Sequence, residues 1–308
     1  MIRPVYEKEL SECADIIRRS FRTVAEEFGI TAENAPRFTA FATTVERLEQ
    51  QYREERPMLV YVDEEGRILG YYSLVIQADG SCELNNLCVL PEHRHGKIGE
   101  KLLKSALMCA AAFGCGKLQA GIVEENARLR KWYEKLGFVH TGTRKFDFFP
   151  FTCGYLEHPL EFAFYDVEFM TDGEILLMLE EKAEGNLEQR WLPSYHYIIC
   201  DKAGHKMGNC DLRIGYSRGL YYGGHIGYRV EEPYRGHHYA GKACFLLFQL
   251  AKRHGMDYLI ITCNPENMPS RKTCEYAGGA LLETVDLPED NDMRLEGETR
   301  KCIYEFEL

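Results

Sequence analysis

The 308-residue sequence has no run of about 18 consecutive apolar residues, so no segment reads as a membrane-spanning helix. The first ten residues, MIRPVYEKEL, lack the apolar core of a signal peptide, and a cytoplasmic location is the expectation. None of the twelve cysteines pair at C-x-x-C spacing, which removes the common paired-ligand zinc sites. Without a signal peptide those cysteines read as reduced thiols. His93 and His95 lie near Cys88, but no further ligand stands at useful spacing, so no metal is expected. An excess of positive charge is also missing. Lys and Arg number 37 against 48 Asp and Glu, giving a net charge of −11, which argues against a general nucleic-acid binder. A local basic pocket is still permitted. The 45% hydrophobic content suffices for two cores, and the length suits two domains.

One such basic pocket is PEHRHGKIGEKLL, residues 91–103. Before it, GYYSLVIQADGSCELNNLCVLP reads as a hairpin: two β-branched and aromatic strands around the turn residues ADGS. After it, Ile98, Leu102, Leu103, Ala106, Leu107 and Ala110 recur at helical spacing, and Gly114 ends the helix. KLQAGIV is the next strand. ENARLRKWYEKLGF is a second helix, closed by Gly137. A turn between strand and helix presents unpaired N–H groups at the positive end of the helix dipole, which suits a phosphate. Arg94, His95 and Lys97 add side-chain charge there. A solvated helix start fits the turn equally well when the turn is read alone.

Two phosphate motifs are excluded. Gly96-Lys97 is followed by Ile98, and Pro91 stands where a P-loop needs its first glycine. Gly114-Cys115-Gly116 follows a helix and precedes a strand, and its sixth position is Gln119 rather than glycine.

The pattern recurs. Arg235 follows Arg94 by 141 positions (235 − 94), and the same offset links Lys242 to Lys101, Gly255 to Gly114, Asn267 to Asn126, Arg271 to Arg130, Glu275 to Glu134 and Gly278 to Gly137. A constant offset over this length marks a tandem duplication, with domains expected at 1–160 and 161–308. The second copy is expected to open with YDVEFM, a helix around EILLMLEEKA, and a hairpin YHYIICDKAGHKMGNCDLRI.

The order strand, R-x-x-G-x-[GA] turn, helix, strand, Asn, helix resembles the GNAT superfamily of acyl-CoA-dependent N-acyltransferases. LCVLPEHRHGKIGEKLL and IVEENARLRKWYEKLGF carry the likeness in the first copy, and IGYRVEEPYRGHHYAGKA and CNPENMPSRKTCEYAGG in the second. It implies an α/β fold with mixed sheets and two tandem GNAT-like domains. It also implies acetyl-CoA as cofactor and acetyl transfer to a primary amine by direct attack.

In the first copy the resemblance assigns the coenzyme A pyrophosphate to Arg94, His95, Gly96, Lys97, Ile98 and Gly99. The pantetheine arm falls to Cys88 and Val89, whose strand would also polarise the thioester carbonyl, and to Asn126. Tyr133 would serve the departing thiolate, and Glu83 would relay the amine proton. In the second copy the corresponding residues are Arg235, Gly236, His237, His238, Tyr239, Ala240 and Asn267. Two departures stand out. The fourth turn position, a glycine in the family, is Lys97 in one copy and His238 in the other, and ordinary right-handed geometry at Lys97 is still open to the chain. Cys274 stands where Tyr133 stands, so the first copy is the expected catalyst. The second could bind acyl-CoA without turnover.

The acceptor is expected to be a small-molecule or peptide amine, and the acidic balance would tolerate a cationic one. The aromatic run RKFDFFPFTCGYLE reads either as acceptor pocket or as core built on Phe146, Phe148 and Phe151. The alternative to an enzyme is a non-catalytic acyl-CoA-binding regulator. An aminoacyl-tRNA-dependent transferase is disfavoured by the acidic charge. Oligomeric state is not legible.

Overall fold

The computed structural model describes residues 1–187, 189–289 and 291–308. The chain divides into two compact units, Met1–Phe162 and Ala163–Leu308.

The first unit begins with β1 (Ile2–Pro4), followed by the helices α1 (Leu10–Glu27), α2 (Thr39–Ala42) and α3 (Val45–Arg53). Strands β2 (Met58–Val62), β3 (Ile68–Ile76) and β4 (Ser81–Val89) form an antiparallel meander. Then come α4 (Ile98–Ala112), β5 (Lys117–Val123), α5 (Ala127–Lys135), β6 (Val139–Lys145) and β7 (Thr152–Pro159). The sheet order is β1-β2-β3-β4-β5-β7-β6, with β4 and β5 its parallel pair. The apolar spacing of α4 buries Leu102, Leu103, Ala106 and Ala110 against the sheet, where the Tyr72 hydroxyl meets Ser105 Oγ at 2.9 Å. On α1, Cys13, Ile16 and Ile17 form the buried stripe. Phe38 and Phe151, 5.8 Å apart, anchor a second cluster that draws the aromatic run onto α1 and α2. Phe151 is core, whereas Phe148 is 55% exposed.

The second unit contains β8 (Phe169–Thr171), β9 (Leu176–Ala183), β10 (Ser194–Cys200), β11 (Lys206–Arg213), α6 (Arg218–Gly223) and β12 (Ile226–Val230). It continues with α7 (Tyr239–Arg253), β13 (Tyr258–Cys263), α8 (Met268–Tyr276), β14 (Ala280–Asp286), α9 (Asp292–Leu295) and β15 (Arg300–Glu307). Its strands fall into two sheets, β12-β11-β10-β9-β8 and β13-β15-β14. EILLMLEEKA is therefore a strand, not the expected helix. Its Leu, Met, Glu and Lys favour helices intrinsically. Pairing with β8 on one edge and β10 on the other overrides that preference, with Leu177 fully buried and its neighbour Met178 exposed.

A buried histidine joins β13 to the loop before β12. His225 donates its backbone N–H to Ile260 O (2.7 Å), accepts the Ile260 N–H at Nδ1 (2.9 Å) and places Nε2 3.1 Å from Gly215 O. Loss of solvent pulls its pKa down to about 4, so the ring is neutral.

Candidate active site

The first unit's site begins where two strands part. β4 and β5 pair only from Ser81–Lys117 to Leu84–Ala120. Beyond that point residues 85–89 lose their partner on that edge. The same stretch carries a bulge: Tyr71 faces Cys88 and Ser73 faces Asn85, so Asn86 and Leu87 together oppose Tyr72. Asn86 takes φ +56°, a conformation asparagine tolerates better than most residues. A bulge leaves its extra residue outside the ladder, and Asn86 lines the cavity beside Glu83. Sequence reasoning placed the polarising N–H around Cys88 and Val89 and missed this feature. The Asn-Asn dipeptide inside an apolar strand was its signal.

The turn follows. His95 has φ +67° and Lys97 φ +63°, so Lys97 takes the left-handed conformation and not the right-handed one that was open to it. The reason is local: the 3-10 turn at Pro91–His93 must feed a helix starting at Ile98, and a left-handed residue at Lys97 makes that reversal. The N–H groups of His95, Gly96, Lys97, Ile98, Gly99 and Glu100 have no protein acceptor among the described residues; the first helical bond is from Lys101 to Lys97 O. Ile98 is buried and anchors the helix start, while a side chain on Gly99 would meet Trp132 and Val89 at 3.7 Å.

Arg94 does not reach outward. Its Nε donates to Val89 O (3.3 Å), Nη1 to Thr23 Oγ1 (2.9 Å) and Nη2 to Ser20 O (2.9 Å). The guanidinium thus ties the turn to β4 and α1. Cys88 is buried and its thiol pKa is pushed up to about 12, so it packs as a thiol and is no nucleophile.

Asn126 caps α5, accepting the Leu129 N–H at Oδ1 (3.0 Å), which leaves its amide NH2 for a ligand. Arg130 binds Glu124 (2.8 Å) and Glu134 (2.9 Å), so those signature residues brace the helix. Tyr133 is buried with its ring against Trp132 (4.9 Å) and Phe138 (5.0 Å). Its hydroxyl has no hydrogen-bond partner among the described residues, and burial pushes its pKa up. Glu83 is exposed on β4 and lines a cavity of about 300 Å³ together with Asn85 and Asn86.

The second unit repeats the turn. Gly236 (φ +85°) and His238 (φ +59°) take the conformations of His95 and Lys97, each 141 positions on (236 − 95, 238 − 97). The N–H groups of Gly236, His237, His238, Tyr239 and Ala240 likewise lack a protein acceptor among the described residues. Arg235 Nε donates to Val230 O (3.1 Å) as Arg94 does to Val89 O. Asn267 caps α8 through the Ser270 N–H (3.1 Å). Arg235, Gly236, His238, Tyr239, Ala240 and Asn267 line one groove of about 660 Å³. His237 lies outside that lining and stacks on Tyr239 at 5.4 Å.

The strand before this turn differs. β12 pairs with β11 in unbroken register from Ile226 to Val230, with no bulge. Cys274, fully buried, is held protonated by hydrogen bonding with Cys263 and by burial. A phenol is nevertheless present. Tyr228 comes from β12, and its hydroxyl lies 2.8 Å from Ser270 Oγ and 3.7 Å from Cys274 Sγ. Sequence comparison by position could not find it, because it occupies the place of Leu87.

Comparison with known proteins gives a consistent result. Residues 21–138 match the acetyltransferase (GNAT) family model and residues 165–280 an acetyltransferase (GNAT) domain model. The chain is 26% identical over 138 residues to an uncharacterized N-acetyltransferase of Mycobacterium tuberculosis, and to its Mycobacterium bovis counterpart, covering 45% of this chain and 88% of each relative. Similar solved structures include the PaiA N-acetyltransferase of Thermoplasma acidophilum in complex with coenzyme A (21% identity, TM-score 0.45, 52% of this chain and 98% of that one). The ribosomal-protein-alanine N-acetyltransferase of Brucella melitensis is another (25% identity, TM-score 0.41, 52% and 99%). No helix among the described residues is long and apolar enough to cross a membrane, and no group of His, Cys, Asp or Glu there could hold a metal ion.

Proposed function

Both halves of the chain belong to the GNAT acetyltransferase family, and from that premise we propose that the first unit transfers an acetyl group from acetyl-CoA to an amine, by direct attack within a ternary complex. The second unit, on this reading, keeps a phosphate cradle without the complete reacting centre. The carrying observation is the coincidence, in the first unit, of parted strands, the Asn86 bulge and the unengaged Tyr133 hydroxyl; β12 and β13 of the second unit also stand apart, in separate sheets, but β12 carries no bulge.

The residues fit coenzyme A. The unpaired N–H groups of residues 95–100 would hold the pyrophosphate at a helix N-terminus. The gap between β4 and β5 would take the pantetheine arm, with the Asn126 NH2 beside it. An N–H at the bulge would face the thioester carbonyl, and a fixed donor there contributes about 3 kcal/mol to the transition state. The amine nitrogen bonds to the carbonyl carbon, the carbon–sulfur bond breaks, and the amine gives up a proton, which Glu83 would pass to water. Tyr133, its phenol kept protonated by burial, would donate a hydrogen bond to the departing thiolate.

Thermal-shift titration with acetyl-CoA tests the reading. Ligand at about a hundred times its dissociation constant should add about 2.7 kcal/mol of stability. No shift with millimolar acetyl-CoA would contradict it.

A further inference from the structure

The cavity beside Glu83 has a charge opposite to that of the chain around it. Its wall includes Arg37, Arg47, Arg56 and Gln51, with Glu83 as its carboxylate. Arg56 is engaged by Glu54 through Nε (2.9 Å) and Nη2 (2.7 Å). The side chains of Arg37 and Arg47 form no ion pair or hydrogen bond among the described residues. Both are exposed at the cavity's edge, so in a chain with 48 acidic residues against 37 basic ones this wall presents two guanidinium groups that no carboxylate of the protein occupies.

Gln51 supplies a second, independent sign. It is 8% exposed and its Oε1 is buried with no hydrogen-bond partner. Buried amides are nearly always satisfied, by protein or by ordered water, and this one stands unmatched beside the cavity.

The backbone that carries the two arginines is held in place. Arg37 adjoins Phe38, whose ring is packed against Phe21 (6.2 Å), Phe41 (6.3 Å) and Phe151 (5.8 Å). Arg47 stands in the first turn of α3, its N–H bonded to Thr44 Oγ1 (3.2 Å). A cation there opposes the helix dipole, so helix stability does not account for it.

We infer that the acceptor is an amine that also bears a carboxylate, a substrate of the amino-acid class. Arg37 and Arg47 bind its carboxylate, the guanidinium fork matching a carboxylate's two oxygens. The Gln51 Nε2 donates to the same carboxylate, and the amino group of the acceptor faces Glu83 and the bulge at Asn86. A polyamine would meet like charge on this wall. This rests on the acetyl-transfer reading of the first unit.

The test uses matched pairs: L-phenylalanine with phenethylamine, L-leucine with isoamylamine, and L-histidine with histamine. Thiol release at saturating acetyl-CoA should show kcat/KM at least about ten-fold higher for the acid of one or more pairs. Arg37→Gln and Arg47→Gln should each lower that value about ten-fold, mainly through KM, and leave the amines and the melting temperature unmoved. Equal use of acid and amine, or arginine variants indistinguishable from wild type, would overturn the inference.

A second arm does not need turnover. Saturation-transfer NMR with coenzyme A present should detect the acids on wild type and lose them on the Arg37→Gln, Arg47→Gln double variant. Acids bound and lost in this way without any thiol release would keep the carboxylate site and refute acetyl transfer. Transfer to the amines with no acid bound would do the reverse. Neither binding nor transfer for any acid overturns the proposal.

Discussion

The two units carry the same turn on different strands. In both, left-handed residues at equivalent positions lead into a helix with its first N–H groups open. In both, the preceding strand stands apart from the strand that follows the helix; in the first it is bulged at Asn86, and in the second it is regular. Binding phosphate needs only the turn, whereas a reacting thioester also needs a polarising donor and a free hydroxyl. On the proposed reading the duplication separates these requirements, and the first copy is the one that meets both.

The largest expected contrast between the units is in acid. His225 is buried and neutral, and His254, bonded to the Tyr195 hydroxyl at 2.8 Å, is likewise pulled down to about 4 by burial. Both belong to the second unit. A folded pKa below the unfolded value of about 6.5 means that the unfolded chain binds more protons between pH 6.5 and 4. Stability present above pH 6.5 is lost as the pH falls through that window, by roughly 3 kcal/mol for a fully buried histidine. Hydrogen exchange at pH 7 and pH 4.5 should show selective loss of protection around β12 and β13. Equal loss around β4 and β5 would erase the contrast.

Arg94 and Arg235 should differ next. Arg94 ties its turn to Val89, Ser20 and Thr23, whereas Arg235 makes one bond of this kind, to Val230. Arg94→Ala should weaken coenzyme A binding by about 1.5–3 kcal/mol by releasing the turn. Arg235→Ala should cost less than half of that. Calorimetric titration of both variants decides it, and equal losses would mean that the guanidinium acts on phosphate directly.

The smallest effect sharpens the likeness instead. Lys97 and His238 each sit where a side chain is strained by about 1–2 kcal/mol. Lys97→Gly relieves that strain but frees the unfolded chain, so a net gain below about 1 kcal/mol is expected in chemical denaturation. Destabilisation would show that the lysine is held by contacts of its own.

Local chemistry made much of this readable. The β3–β4 hairpin, the turn, α4 and α5 follow from periodicity and glycine placement, and the constant offset revealed the second copy. Features set by distant partners were not readable. The Arg94 contacts lie on α1, 74 and 71 positions earlier, with no local pattern to announce them. β9 has a helical composition and becomes a strand only because β8 and β10 flank it. The Tyr228 phenol arrives from a strand, while the positional match pointed to α8. The charge of the Glu83 cavity is local and opposes the sign of the whole chain, so net charge does not describe it.

The division of labour between the copies is tested most directly by Tyr133→Phe and Tyr228→Phe, assayed side by side for thiol release at saturating acetyl-CoA with one accepting amine. Tyr133→Phe should lower turnover by about 10²-fold with coenzyme A affinity nearly unchanged, and Tyr228→Phe should stay within a few-fold of wild type. The reverse ranking would move the chemistry to the second unit and contradict the account.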